Sequence, residues 1–251
     1  MTGWEVRHGD TLLALRELGP GTVDAVVTDP PYSSGGAFRS DRARPTGDKY
    51  LKGSQLPDFY GDNRSERGLL AWASLWLAEC WRVTVDGGAV AVWTDWRSLP
   101  TITDAVQCGG YSWRGIGVWR KPQGRSRPTA GGLWNDTEFI VWGSKGRRSG
   151  ECLPGVWEAG SPRDKMHQTE KPQAALRDLV RFAPEGGLVL DPFAGSGSTG
   201  VAALMAGRRF IGIELSGEYV DISRRRLAAV AASGADVARS APALFDVEGD
   251  A

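Results

Sequence analysis

From Trp4 to Asp10 apolar and polar residues alternate with the two-residue period of a strand, and from Thr11 to Leu18 the spacing becomes helical, with Leu12 and Leu15 on one side. Val23–Thr28 reads as a second, mostly apolar strand that runs into Asp29-Pro-Pro-Tyr32. Two prolines in succession lack amide donors and cannot continue a ladder, so this tetrapeptide is predicted as a loop at the strand's C-terminal end, where open α/β sheets bind ligands. Residues 33–67 carry glycine, serine, proline and twelve charges without a period, which predicts a long loop. Loops of that length in compact domains are functional or disordered. A helix over 69–83 contains Trp72, Trp76 and Trp81 and leads through Asp86-Gly-Gly88 into a strand at 89–93. Another helix, 99–108, ends at Gly109-Gly110, and strands at 113–119 and 138–142 flank a stretch rich in Arg, Pro and Gly. The C-terminal third is the most regular: helix 173–182, strand 188–190, a glycine-rich turn, helix 199–206, strand 210–213 and helix 218–232. Strands alternating with helices predict an α/β fold, a mostly parallel sheet with helices on both faces.

Length and composition narrow this picture. A chain of 251 residues with 41% hydrophobic content buries one sizeable core, so a single domain over 1–232 is expected, with insertions at about 33–67 and 120–166 and a disordered tail over 233–251. No apolar run is long enough to span a bilayer and Met1 to Asp10 has no signal-peptide core, from which a cytoplasmic location is expected. Cys80, Cys108 and Cys152 are far apart and there are only two histidines, so neither a metal site nor a disulfide framework is predicted. Net charge is zero, which argues against coating nucleic acid by bulk charge. Between Tyr111 and Gly150, however, eight cationic residues face two acidic ones; the plain alternative is a solvated, arginine-rich surface loop.

Two loops carry the candidate chemistry. Asp191 to Gly200 contains GxGxxG at Gly195, Gly197 and Gly200, after an apolar strand and opening a helix, with Glu214 at the end of the next strand. Such glycines allow a tight turn and close backbone approach to a ligand, and the acidic residue can hold two ribose hydroxyls. The same fingerprint also fits a dinucleotide whose pyrophosphate docks on the helix N-terminus, and a tightly packed loop without a ligand is the structural alternative. Asp191-Pro-Phe-Ala-Gly-Ser-Gly-Ser-Thr199 resembles the S-adenosylmethionine-binding motif of DNA amino-methyltransferases, and Thr28-Asp-Pro-Pro-Tyr32 resembles their catalytic motif. Ile211–Leu215, Glu218–Leu227 and His167–Pro172 extend the resemblance, which covers Trp4 to Leu227. A catalytic motif that precedes the cofactor motif, with a basic segment between, is the order of the beta group of these enzymes. The resemblance thus implies a Rossmann-like S-adenosylmethionine-dependent methyltransferase fold with circularly permuted motif order, acting on double-stranded DNA. Beta-group relatives often pair, so a homodimer stays open.

The residue types suit methyl transfer to an exocyclic amine, a poor nucleophile because its lone pair is delocalised into the ring. A carboxylate accepting one N–H and a carbonyl accepting the other would restore that lone pair. Asp29 and the carbonyl of Pro30 fit those roles, Pro31 stiffens the turn, and Tyr32 is the candidate for stacking on a flipped base. For the cofactor, Glu214 is assigned to the ribose, and Asp191, Pro192, Phe193, Ala194, Gly195, Ser196 and Gly197 to the loop around it. Asp10 is a candidate for the adenine amino group, with a helix cap as the competing role. Lys171 and Thr169 are candidates for the methionine carboxylate, with loop packing as the alternative.

DNA contact is expected from the insertions, through Arg39, Arg42, Arg44, Lys121, Arg125 and Arg127. Most of the eleven tryptophans sit at helix or strand spacing and are expected in the core. Within the resembled family an Asp before Pro-Pro-Tyr mostly accompanies adenine N6 targets and a Ser accompanies cytosine N4, so Asp29 favours adenine. A catalytically silent DNA-binding module on the same fold, and an NAD-dependent oxidoreductase, are the readings from other classes.

Overall fold

The computed structural model describes residues 3–32, 64–122, 131–160 and 171–240, without the side chains of 234–240. Eight strands form one sheet: β1 (Trp4–His8), β2 (Val23–Thr28), β3 (Thr84–Thr94), β4 (Ser112–Arg120), β5 (Thr137–Ser144), β6 (Val156–Glu158), β7 (Leu188–Asp191) and β8 (Arg209–Glu214). Their spatial order is β1-β8-β7-β2-β3-β5-β4-β6, and only β5 runs antiparallel to its neighbours. The helices are α1 (Thr11–Arg16), α2 (Glu66–Val83), α3 (Leu99–Cys108), α4 (Gln173–Leu179, continued by a 3-10 turn over Val180–Phe182), α5 (Ser198–Met205) and α6 (Gly217–Ser240).

Alternation along the central strands explains why the sheet is covered twice. On β2, Val26 joins one apolar cluster with Leu15, Trp76, Leu77 and Ile102, under α1, α2 and α3. Its neighbours Ala25 and Val27 join the other, with Leu176, Ala202, Phe210 and Leu227, under α4, α5 and α6. A strand buried on both faces reads as a nearly continuous apolar run, which is what Val23–Thr28 is. Trp76, Trp93 and Trp119 are fully buried in these layers, whereas Trp81, Trp96, Trp113 and Trp134 are exposed, so the expectation of a core place for most tryptophans holds only in part.

Three features differ from the sequence expectation. The strand after α2 begins at Thr84 rather than 89, because Val23 pairs with Thr84 before a register shift carries Ala25 onto Ala89. The short β6 pairs parallel with β4 and has no periodic signal of its own at three residues. The last helix does not stop at 232; α6 continues to Ser240. Residues 233–240 contain one glycine and no proline, and Ala235, Ala238 and Arg239 favour helix.

The topology fixes where loops emerge. Since β1, β8, β7, β2, β3 and β4 are parallel, their C-terminal ends lie along one rim, and antiparallel β5 brings its N-terminal end there too.

Candidate active site

β2 and β7 are hydrogen-bonded neighbours, with Val26 opposite Leu190, so Asp29-Pro-Pro-Tyr32 and the Asp191 turn leave the sheet side by side. One bond joins them directly: the Thr28 hydroxyl donates to Asp191 Oδ1 at 2.7 Å. The same oxygen accepts from the amide of Phe193 at 3.1 Å. Asp191 is buried, and burial pushes its pKa up to about 6 in spite of these donors.

The glycine turn is built as its spacing implies. Gly195 and Gly197 take positive φ, 50° and 84°, which other residues rarely adopt. A Cβ on Gly197 would lie 2.4 Å from Ser223 Oγ on α6. Gly200 serves packing instead, because a Cβ there would meet Phe210 at 2.6 Å and Leu227 at 2.8 Å. Glu214, at the end of β8, accepts from the Gly195 amide through Oε2 at 2.9 Å and from the Ser216 amide through Oε1 at 2.8 Å. Leu215 adds a further backbone bond, so the carboxylate is held in place at the end of β8. Phe193 packs its half-buried ring against Trp72 and Trp76, at 5.3 and 5.2 Å between centroids. Pro192 accepts from the Thr11 hydroxyl at 2.7 Å. Ser196 is tied by Arg226, which reaches both its carbonyl and its hydroxyl at 2.9 Å.

Asp10 caps α1, one of the two roles that the sequence left open. Its Oδ1 accepts from the amides of Leu12 and Leu13 at 2.9 and 3.2 Å at the start of α1.

Around Asp29 the structure assembles residues that sequence reasoning did not connect. Lys171, expected near the methionine end of the cofactor, sends Nζ to within 2.7 Å of Asp29 Oδ2 and 3.2 Å of Glu138 Oε2. Glu138 stands near the start of β5, and its other oxygen receives Lys121 Nζ at 2.6 Å. Lys121 is therefore ion-paired inside this cluster, 5.0 Å from the Trp119 ring centroid, where a phosphate contact was expected. Burial pushes the Asp29 carboxyl up to about 6 against the pull of Lys171. Burial also opposes the charge of Lys171, but Asp29 and Glu138 outweigh it and raise the ammonium above its ordinary value. For Glu138 burial is again the largest opposing influence, and Lys171 and Lys121 together overcome it and hold the carboxylate below its usual range. Asp29 Oδ1 alone among these oxygens is buried without a partner of any kind among the described residues. Glu138 had a signal that went unread: a carboxylate within a strand that turns apolar at Phe139, Ile140 and Val141.

Tyr32 is 6% exposed and packs in the cluster with Leu69, Trp76 and Ile102, while its carbonyl accepts from Ser98 Oγ at 2.9 Å. Pro30 is buried and Pro31 half-buried. Arg39, Arg42, Arg44, Arg125, Arg127 and Thr169 lie outside the described residues.

A family model described as DNA methylase, N6_N4_Mtase, matches residues 23–154 and 147–225, most of the chain. The chain belongs to this DNA methylase family. It is an S-adenosylmethionine-dependent DNA methyltransferase of the N6/N4 type, and the dinucleotide reading falls. Among its relatives, the putative methylase YubD of Escherichia coli K12 is 32% identical over 226 residues, 89% of either chain. The type II methyltransferase M2.DpnII of Streptococcus pneumoniae is 29% identical over 248 residues, 88% of either chain. Among solved structures, an M1.HpyAVI–SAM complex superposes with a TM-score of 0.65 at 24% identity, over 89% of this methyltransferase and 98% of that chain. TTHA0409 from Thermus thermophilus gives a TM-score of 0.67 at 21% identity, over 90% and 95%. These two likenesses bear out the expected α/β architecture with its mostly parallel sheet.

Proposed function

We propose that the protein methylates the exocyclic amino group of a base flipped out of double-stranded DNA, with adenine N6 as the target and cytosine N4 as the alternative. The observation that carries this reading is the buried Oδ1 of Asp29 beside the cofactor turn, which has no partner among the described residues. A buried acceptor without a donor costs free energy, of the order of 1–3 kcal/mol, and such a cost is sustained where a ligand supplies the missing bond.

The residues of the second turn fit the cofactor. Glu214 would take the ribose hydroxyls, the Gly195–Gly197 backbone would approach it closely, and the half-buried ring of Phe193 would border it. Asp191 and Glu214 set two carboxylates beside the turn, a field that suits a sulfonium cation and opposes a pyrophosphate. When bound, the cofactor supplies an electrophilic methyl group. Asp29 Oδ1 accepts one N–H of the target amine and the Pro30 carbonyl accepts the other, which draws the nitrogen lone pair out of conjugation. Once the new bond has formed, the surplus proton leaves the nitrogen toward the Asp29 carboxylate.

DNA would be met by the rim itself. Trp96 just beyond β3 and Trp134 just before β5 are 49% and 53% exposed, unlike the tryptophans of the core. Base stacking contributes on the order of 1–3 kcal/mol per base where an aromatic face is available. For Tyr32 to supply such a face its ring has to be uncovered when DNA binds.

Adenine is favoured by the identity of Asp29, because a carboxylate in this position accompanies adenine in the resembled motif. The test is DNA methylated with labelled cofactor and hydrolysed to nucleosides. A labelled N6-methyladenine peak is expected; a labelled N4-methylcytosine peak assigns the alternative, and no label in either rejects the reading.

A further inference from the structure

Resting on the reading of Asp29 as the amine's acceptor, we propose that Lys171, anchored by Glu138, is a positioning residue that occupies one oxygen of Asp29 and keeps the other free and negatively charged for the target amine.

The geometry divides the carboxylate in two. Lys171 Nζ lies 2.7 Å from Oδ2, while Oδ1 has no donor among the described residues. A carboxylate with one oxygen fixed by an ammonium cannot rotate its free oxygen away without breaking a charge-assisted bond. Lys171 is itself constrained. Its side chain is 5% exposed, and its Nζ stands 5.7 Å from the centroid of Tyr32 and 5.6 Å from that of Trp93, within reach of both ring faces. Glu138 holds the ammonium from the third side at 3.2 Å, and Lys121 holds Glu138 at 2.6 Å. Two carboxylates and two ammonium groups make the cluster neutral, which lets it be buried at the rim.

The chemistry needs the charge as well as the direction. A protonated Oδ1 would present an O–H donor, and that donor would hydrogen-bond to the very lone pair that attacks. Burial favours the protonated acid, so something must counter it. The charged groups facing Asp29 are Lys171, ahead of α4, Glu138, on β5, and Asp191, at the end of β7; Lys171 favours its ionised form and the two carboxylates oppose it. The resulting value of about 6 leaves Asp29 charged at neutral pH. Lys171 and Glu138 therefore act on Asp29 with opposite sign.

That opposition gives a test which a merely structural role would fail. Single-turnover rates are measured from pH 5 to 9 for Lys171→Met, Lys171→Arg and Glu138→Gln, together with cofactor affinity by calorimetry. In Lys171→Met the acid limb of the rate should move to higher pH, and on that limb the rate should fall about tenfold for each pH unit by which it moves. In Glu138→Gln, whose amide oxygen can still accept from Lys121, the limb should move to lower pH. Lys171→Arg should restore the limb toward that of the wild type. Cofactor affinity should stay unchanged in all three.

Limbs that stay in place, or that move the same way in both variants, overturn the proposal. A fall in cofactor affinity in Lys171→Met with no movement of the limb also overturns it, and returns Lys171 to the methionine carboxylate. Should Lys171→Met not fold, the direction in which the Glu138→Gln limb moves decides alone. Asp29→Asn separates the two levels of inference. If it transfers at the wild-type rate, the reading of Asp29 fails; if it is inactive while the limbs do not move, only the role of Lys171 fails.

Discussion

Asp29 and Asp191 end neighbouring strands of one sheet, and burial pushes both carboxyls up to about 6, yet their partners differ in kind. Asp191 is satisfied from within the fold by the hydroxyls of Thr28 and Thr199 and the backbone amide of Phe193. Asp29 is held on one side by an ammonium and has no partner on the other among the described residues. The same residue type in the same layer thus serves opposite ends. Asp191 stitches the cofactor turn to the catalytic strand, and Asp29 is kept open for a group that arrives with the substrate.

Three substitutions sharpen that contrast. The largest effect is expected at Asp29→Ala, which removes the open acceptor; kcat should fall by about 100- to 1000-fold or more. Calorimetric affinity for S-adenosylmethionine should hold, and a variant that transfers methyl groups normally would remove the distinction between the two aspartates. Next comes Gly197→Ala in the turn that Asp191 supports. Positive φ and the contact with Ser223 Oγ predict a loss of stability of about 3 kcal/mol, and weaker cofactor binding, with the chemistry of bound complexes spared. Urea unfolding and single-turnover rates at saturating cofactor check both halves.

The smallest effect is expected at Thr28→Val, which breaks the bond between the two turns and should cost about 1.5 kcal/mol. Its pH dependence is the sharper readout. The folded-state pKa of Asp191 lies above the ordinary carboxylate value, so its ionisation destabilises the native state as pH rises through about 6. The Thr28 hydroxyl relieves part of that loss by favouring the charged form. The deficit of Thr28→Val should therefore be larger at pH 8 than at pH 5, and an equal deficit at both would show that Asp191 does not titrate there.

Much of the scaffold was legible because its signals are local. A two-residue period, a glycine after a helix or a pair of prolines after a strand each act within a few residues, and they located β2, β7, β8 and both turns. The strand start at Thr84 was missed because pairing with Val23, not propensity, defines it. The end of α6 at Ser240 had no sharp local signal, because alanine and arginine beyond 232 sustain a helix without an apolar period.

The linear sequence by itself determined the α/β alternation, the order of the two motifs and the residue types that methyl transfer requires, since each is written in contiguous segments. Only the tertiary structure decided that Lys171, Glu138 and Lys121 converge on Asp29. Together with Asp29 they come from four separate stretches, and the antiparallel direction of β5 brings Glu138 to the catalytic rim. Coulomb attraction between buried charges depends on distance in space and on the loss of water around them, and neither quantity has a period along the chain.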